Sequence, residues 1–244
     1  MSIIRDIYRF VFPQHCMICH EVLTGGEEYI CSPCILYLPT LRLHEVVGNK
    51  MERLYWGQVP IERAAALMRY DRESVSGLLY AVKYGGRSGL AVWLGEMIGR
   101  QMGDSTFFDG IDIIVPVPLS RLRRMKRGYN QAQLLALGIS RSTGIPMVDD
   151  AVIKVVDNEA QAGKNHEARR DNVRGVYRLR RADVLSGKHV LIVDDVVTSG
   201  VTSMEVAKTI VEACGCRVSV VSLALSDEGL STESADLNQA LPLS

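Results

Sequence analysis

The stretch Val190-Leu-Ile-Val-Asp-Asp-Val-Val-Thr-Ser-Gly-Val-Thr202 narrows the choice of fold more than any other part of this chain. Four apolar residues lead into two carboxylates, and a short hydroxyl- and glycine-bearing stretch follows. Residues 190–193 read as a strand buried on both faces, the kind found inside parallel sheets. Beyond the loop, Val206, Ala207, Ile210, Val211 and Cys214 recur at helical spacing, with Gly215 as a stop signal. Strand, tight loop and helix start aim free backbone N–H groups at one point, which is a ready site for a phosphate. Gly200 lets the backbone approach an anion. Thr198, Ser199 and Thr202 add hydroxyl donors, with Val201 between them at the start of the helix.

Asp194 and Asp195 stand on the rim of that site. Paired carboxylates suit the two hydroxyls of a ribose, or a magnesium ion held through waters. Phosphate donors beside a diol-binding acidic pair describe a site for a sugar phosphate. The plainer reading is a buried strand closed by a polar turn; adjacent acids followed by Thr-Ser-Gly-x-Thr weigh against it. No G-x-x-x-x-G-K-[ST] occurs, so the loop is not a nucleotide P-loop. The segment resembles the phosphoribosyl-pyrophosphate (PRPP) motif of type I phosphoribosyltransferases.

Four cysteines near the start form a second constellation. Cys16-Met-Ile-Cys19 and Cys31-Ser-Pro-Cys34 are two C-x2-C pairs separated by eleven residues, with Thr24-Gly25-Gly26 as the turn between them. Each pair presents two thiolates on one knuckle, and two knuckles close a tetrahedral cage suited to structural zinc. Such a site supplies about 10–16 kcal/mol of apparent binding free energy, enough to fold a ribbon with almost no core. Cys16 to His20 also matches the C-x-x-C-H of covalent haem attachment, but that leaves the second pair unexplained. An iron–sulfur cluster is allowed by four thiolates, although the even pairing favours zinc. Cys214 and Cys216 read as small buried residues.

At 244 residues the chain is long enough for one α/β domain and a small accessory module. A hydrophobic content of 47% supports a real core, and 28 basic residues balance 28 acidic ones, so no global field points to a polyanion partner. No apolar run of about 18 residues exists to span a membrane. The opening residues 3–12 read as a short amphipathic helix ended by Pro13, and no export signal is recognisable, so the expected location is the cytosol with reduced thiols.

Residues 63–70 fit a strand or a helix. Residues 74–83 and 90–102 have helical spacing, 111–118 read as a buried strand ending at its prolines, and Asn130 caps a helix running to about residue 141. Residues 151–156 and 217–225 add two more strands. Strands alternating with helices predict an α/β fold with a doubly wound, mainly parallel sheet, whose ligands bind beyond the carboxyl ends of the strands. The expected division is 1–58 for the N-terminal helix and four-cysteine zinc-binding module, 59–226 for the sheet domain, and 227–244 for a loose tail.

Five cations fall within residues 121–127, directly after a strand end, and Gly128, Tyr129, Asn130 and Gln131 follow. They read as a basic loop over the phosphate rim, where charge gathers on a departing pyrophosphate. Arg127 and Gly128 are the favoured site residues of this stretch. A second polar, basic cluster at 161–177 has the composition of a lid, and Lys83-Tyr84-Gly85-Gly86 is a third rim candidate.

The order of these features is similar to the ComF competence family: zinc ribbon, Lys83-Tyr84-Gly85, Val-Pro-Val-Pro118 with Arg127-Gly128-Tyr129-Asn130-Gln131, Gln161 to Tyr177, then the PRPP motif. The resemblance covers nearly all of residues 13–225. It implies the type I phosphoribosyltransferase fold, PRPP and magnesium at residues 194–202, structural zinc at Cys16, Cys19, Cys31 and Cys34, a pyrophosphate loop around 121–130, and a role in DNA uptake during natural transformation. Three functions stay open. One is a phosphoribosyltransferase, including one acting in nucleotide or nucleobase salvage. Another is a PRPP-binding protein that handles single-stranded DNA, with the arginine clusters on phosphates and Tyr129 and Tyr177 stacking on bases. The last is a zinc-ribbon adaptor that docks a competence helicase or other DNA-uptake protein.

Overall fold

A computed structural model of the protein describes residues 12–155 and 175–226. The N-terminal amphipathic segment, most of the 161–177 cluster and the 227–244 tail lie outside the described residues. The centre is a four-stranded parallel sheet built from β1 (Ala64–Arg69), β2 (Ile113–Pro116), β5 (His189–Val197) and β6 (Arg217–Leu225), in the order β1-β6-β5-β2. Residues 63–70, open between strand and helix by pattern, contribute β1. The two longest strands lie side by side, in register from His189 opposite Arg217 to Val197 opposite Leu225.

Both faces of this sheet are covered, which is why its strands read as nearly unbroken apolar runs. Along β5, Leu191 and Val193 enter one core with Leu90, Leu94, Ile98, Leu135 and Ile139. Val190 and Ile192 enter the other with Val206, Ala207 and Ile210. The first core is roofed by α3 (Val75–Tyr84), α4 (Ser88–Gly103) and α6 (Gln131–Thr143), the second by α8 (Val201–Cys214). Among the described residues, the short helices α1 (Ser32–Leu36) and α2 (Lys50–Arg53) come before them in the chain. Just ahead of β5, the short α7 (Ala182–Leu185) places Leu185 in the second core.

Three elements depart from the sequence reading. Residues 151–155, the described part of the expected 151–156 strand, do not join the parallel sheet. They contribute β3 (Val152–Lys154), paired antiparallel with β4 (Tyr177–Leu179). Ile153 and Lys154 are half-exposed, and a strand buried on one face cannot fill a central position. The basic segment is a helix, α5 (Arg121–Arg127), and not a loop. Its residues are good helix formers, the Ser120 hydroxyl accepts from Arg123 N at 3.3 Å, and Gly128 closes the helix at φ 81°. Finally, β5 does not stop at Val193 but carries both aspartates on to Val197.

The cysteine-bearing segment packs on the sheet layers. Cys16, Ile30, Cys31 and Leu38 share the first core with Leu90 and Leu94, and the Tyr29 ring lies 5.9 Å from that of Trp93 on α4. Residues 39–41 run antiparallel along the outer edge of β1: Leu41 N donates to Leu67 O at 2.8 Å, and Arg69 N to Pro39 O at 2.8 Å.

Helices α4 and α6 meet backbone to backbone. A Cβ on Gly138 would collide with Val92 O, and one on Gly95 with Leu135 O. Helix propensity alone favours Gly138→Ala by up to about 1 kcal/mol. Overpacking at this contact opposes it by about 1–3 kcal/mol or more. The expected outcome of a denaturant titration is a lower midpoint for Gly138→Ala; a raised midpoint would mean the two helices do not touch there.

Candidate functional site

The loop after β5 gathers hydroxyls and free N–H groups at one point. The strand ends at Val197, Thr198 and Ser199 follow, and Gly200 turns at φ 73° as the cap before α8. A left-handed backbone conformation at that point suits glycine. Thr198 and Thr202 are exposed, Ser199 and Val201 half-buried, and Gly200 is buried. The first N–H groups of α8, a helix of 14 residues, therefore open beside three hydroxyls at the carboxyl edge of the sheet.

The two carboxylates differ sharply in surroundings. Asp194 is 8% exposed, and its Oδ1 accepts from Asp195 N at 2.8 Å. Burial foremost, then the Asp195 charge, pushes its carboxyl up to about 8, against the pull of that N–H and of Lys83. Once ionised, its charge reaches Tyr55 and Tyr177, both packed in the α8-side core. Asp195 turns the other way. Its Oδ2 is 3.1 Å from Lys83 Nζ at the end of α3, and its Oδ1 accepts from Val196 N at 2.8 Å. The structure thus joins Lys83 to the acidic pair directly.

Arg127 and Gly128 are placed differently. The Arg127 guanidinium sits 5.0 Å from the centre of the Tyr84 ring and donates to Tyr84 Oη at 3.2 Å and to Gln131 Oε1 at 3.0 Å. It is stacked on the residue after Lys83, and its partners there are not in the loop after β5. Gly128 serves as the helix cap, its N donating to Arg124 O at 2.8 Å. Asn130 holds the next turn, with Nδ2 on Val117 O at 3.0 Å and Oδ1 on Ala132 N at 3.2 Å. Arg123 on the basic helix and Asp194 both act on the Tyr177 phenol: burial and Asp194 push it up, and Arg123 offsets part of that push.

Both tyrosines expected to stack are withdrawn from solvent contact of that kind. Tyr177 is buried, and Tyr129 is half-buried with its hydroxyl on Val82 O at 2.7 Å. The exposed pair is Tyr80 and Tyr84 on α3, with ring centres 5.3 Å apart.

The four cysteines converge. Sγ atoms of Cys16, Cys19, Cys31 and Cys34 all lie within 4.8 Å of one another, with Cys19 and Cys31 at 3.6 Å. A tetrahedron with metal–sulfur bonds of about 2.3 Å has edges of about 3.8 Å, so the set fits a metal-thiolate cage. Burial works against ionising Cys16, but the N–H groups of Cys31, Cys19 and Ile18 outweigh it and bring the thiol down to about 6. His20, the haem-like neighbour, is exposed at φ 62°, and the other half of the cage explains the second cysteine pair.

Residues 109–239 match the phosphoribosyl transferase domain. This chain belongs to that family. Relatives extend the likeness over most of its length: the DNA utilization protein YhgH of Escherichia coli strain K12 is 27% identical over 85% of this chain and 95% of its own. Competence protein F of Haemophilus influenzae is 37% identical over 40% of this chain and 43% of its own, and competence protein ComFC of Bacillus subtilis is 30% identical over 46% and 43%. The resemblance to the ComF competence family drawn from sequence is borne out, as is the parallel α/β fold. Among the described residues no helix is long and apolar enough to cross a membrane.

Sequence reasoning missed Tyr55 and Ser203. Tyr55 Oη is 2.7 Å from Ser203 Oγ, under the loop that follows β5. Nothing in the local pattern around either residue signals the pairing.

Asp194 sets a pH dependence. Its folded carboxyl titrates near 8, while the ordinary value is 3.8. Between these values the folded state holds a proton that the unfolded chain releases, so the residue's contribution to stability is fully present below about pH 4 and is lost as pH rises towards 8. Asp194→Asn removes the titration. Its melting temperature is expected to exceed wild type at pH 8, with the gap closing as pH falls towards 5. A gap independent of pH would show that Asp194 is ionised throughout.

Proposed function

We propose that this protein binds PRPP with magnesium at the carboxyl edge of its sheet and acts in the handling of incoming DNA during natural transformation, in the cytosol. The observation that carries the first part is the hydroxyl-bearing loop capped by Gly200 at the start of α8, two residues after the paired carboxylates. Thr198, Ser199, Thr202 and the N–H groups from Val201 onward bind the 5′-phosphate. Asp194 and Asp195 bind the ribose hydroxyls. Lys83 neutralises Asp195 before the ligand arrives and faces the pyrophosphate afterwards, with Arg127, Gly128 and the rest of α5 along the same rim. The carboxylate oxygens suit a hard cation, and magnesium bound with PRPP neutralises charge on the pyrophosphate. The competence and DNA-utilization names of the relatives support the second part.

The four-cysteine cage holds structural zinc in this reading, and residues 1–58, 59–226 and 227–244 are the zinc module, the phosphoribosyltransferase-like domain and the tail. Calorimetry with magnesium and PRPP tests the site. Changing Asp194 and Asp195 together to Ala is expected to weaken binding about 10- to 100-fold, the scale of losing hydrogen bonds to charged groups. Equal affinity in wild type and variant would move the site elsewhere. Pyrophosphate release during the same incubation separates a working transferase from a binding protein.

Single-stranded DNA as a partner is favoured by a specific surface. Tyr80 and Tyr84 are 66% and 61% exposed, and they adjoin the five cations of α5 through Arg127. Aromatic faces beside a cationic stripe suit bases and phosphates together. In a fluorescence titration with a labelled single strand, Tyr80→Ala with Tyr84→Ala is expected to weaken binding at least about fivefold, on the scale of one lost stacking contact. Neutralising Arg123 and Arg124 should flatten the salt dependence. No binding by wild type at low salt would remove DNA as a direct partner and leave docking on a competence helicase or other DNA-uptake protein.

A further inference from the structure

We propose that Tyr55 is a positioning residue for the phosphate loop, fixing the aim of its donors through a relayed hydrogen bond. The inference rests on the sugar-phosphate reading of that loop. Tyr55 follows α2, far from the loop in sequence, and is fully buried. Its hydroxyl lies 2.7 Å from Ser203 Oγ, and Ser203 Oγ donates to Gly200 O at 3.1 Å. Ser203 has one hydroxyl proton, and a carbonyl can only accept, so Tyr55 is the donor in the first bond. The direction of the relay follows: Tyr55 O–H to Ser203 O–H to Gly200 carbonyl. Burial keeps the phenol in its protonated, donating form.

The relay ends on the residue that decides where the loop points. Gly200 O also accepts from Met204 N at 2.8 Å, so one carbonyl takes both the helix bond and the bond from Ser203. On its open side Gly200 is walled in by the same segment: the site where a Cβ would stand is 3.6 Å from Leu54 Cβ and 3.7 Å from Tyr55 Cζ. Rotation of the loop is thus opposed by packing on one side and a hydrogen bond on the other.

A post is only as firm as its footing, and Tyr55 stands on a well-tied segment. Asn49 caps α2 by accepting from Met51 N and Glu52 N, and its Nδ2 donates to Ala64 O on β1 at 2.8 Å. Glu52 accepts from Arg63 Nε at 3.2 Å and from Ala64 N at 3.3 Å. These bonds attach α2 to the start of β1, so Tyr55 spans from one strand of the sheet to the helix that follows another. Preorganised donors bind an anion without the cost of ordering them at that moment.

The test uses the full chain and two probes, ribose 5-phosphate for the loop and inorganic pyrophosphate with magnesium for the opposite end of the site. Tyr55→Phe keeps the packing and removes the donor. Its affinity for ribose 5-phosphate is expected to fall about tenfold, with pyrophosphate affinity unchanged. Ser203→Ala should do the same, and the double variant should be no worse than either single one, because both cut one relay. Ser203→Ala also serves as the independent arm if Tyr55→Phe unfolds, as judged by its thermal transition. Equal ribose 5-phosphate affinity in a folded variant and wild type overturns the inference alone, as does an equal loss for both probes. Wild type that binds neither ribose 5-phosphate nor PRPP overturns the sugar-phosphate reading, and the inference with it.

Discussion

Everything at the candidate site depends on a strand that is buried on both faces and has to end. Inside the sheet, β5 runs apolar from Val190 to Val193, and at its carboxyl edge the same backbone course brings Asp194 to the margin of the core before solvent is reached. The chain meets that conflict in two ways. Asp194 keeps its proton near neutral pH, and Asp195 finds a cation on α3. Burying ionisable groups is costly, and it persists where a site needs it. At this rim the sheet's continuous apolar logic gives way to polar chemistry.

Close helix packing underpins that rim. Gly95 and Gly138 bring α4 and α6 into backbone contact across the first face of the sheet, and α3, on the same face, sets Lys83 beside the end of β5. Arg127 then braces Tyr84 one residue on, so the basic helix is tied to the same corner. Several cations reach one edge without a long-range charge field over the whole molecule, which agrees with a chain whose formal charge is zero.

Much of this is legible in the residues. Val190 to Thr202 announces strand, loop and helix because burial on both faces, glycine punctuation and helical period are local signals. The cysteine spacing announces its cage because ligand geometry constrains sequence spacing. What stays hidden depends on contacts between distant segments. Tyr55 and Ser203 are 148 positions apart, and each is an ordinary residue in its own neighbourhood. The antiparallel pairing of β3 with β4 is masked because three strand residues carry too short a pattern to reveal a partner. The basic run passes for a loop because its charges draw attention from its helix-forming side chains. Sequence proximity to arginines says nothing about burial: Tyr129 and Tyr177 go into packing, and Tyr80 and Tyr84 remain outside.

The strip at residues 39–41 carries a consequence of its own. By pairing with Leu67 and Arg69 it closes the outer edge of β1, which would otherwise present unpaired N–H and C=O groups to any passing strand. Just before that strip, Leu38 is sunk in the same core as Cys16 and Cys31. Were the knuckles to come apart and the strip to leave with them, β1 would bare a strand edge, the kind of surface on which chains pair with their neighbours.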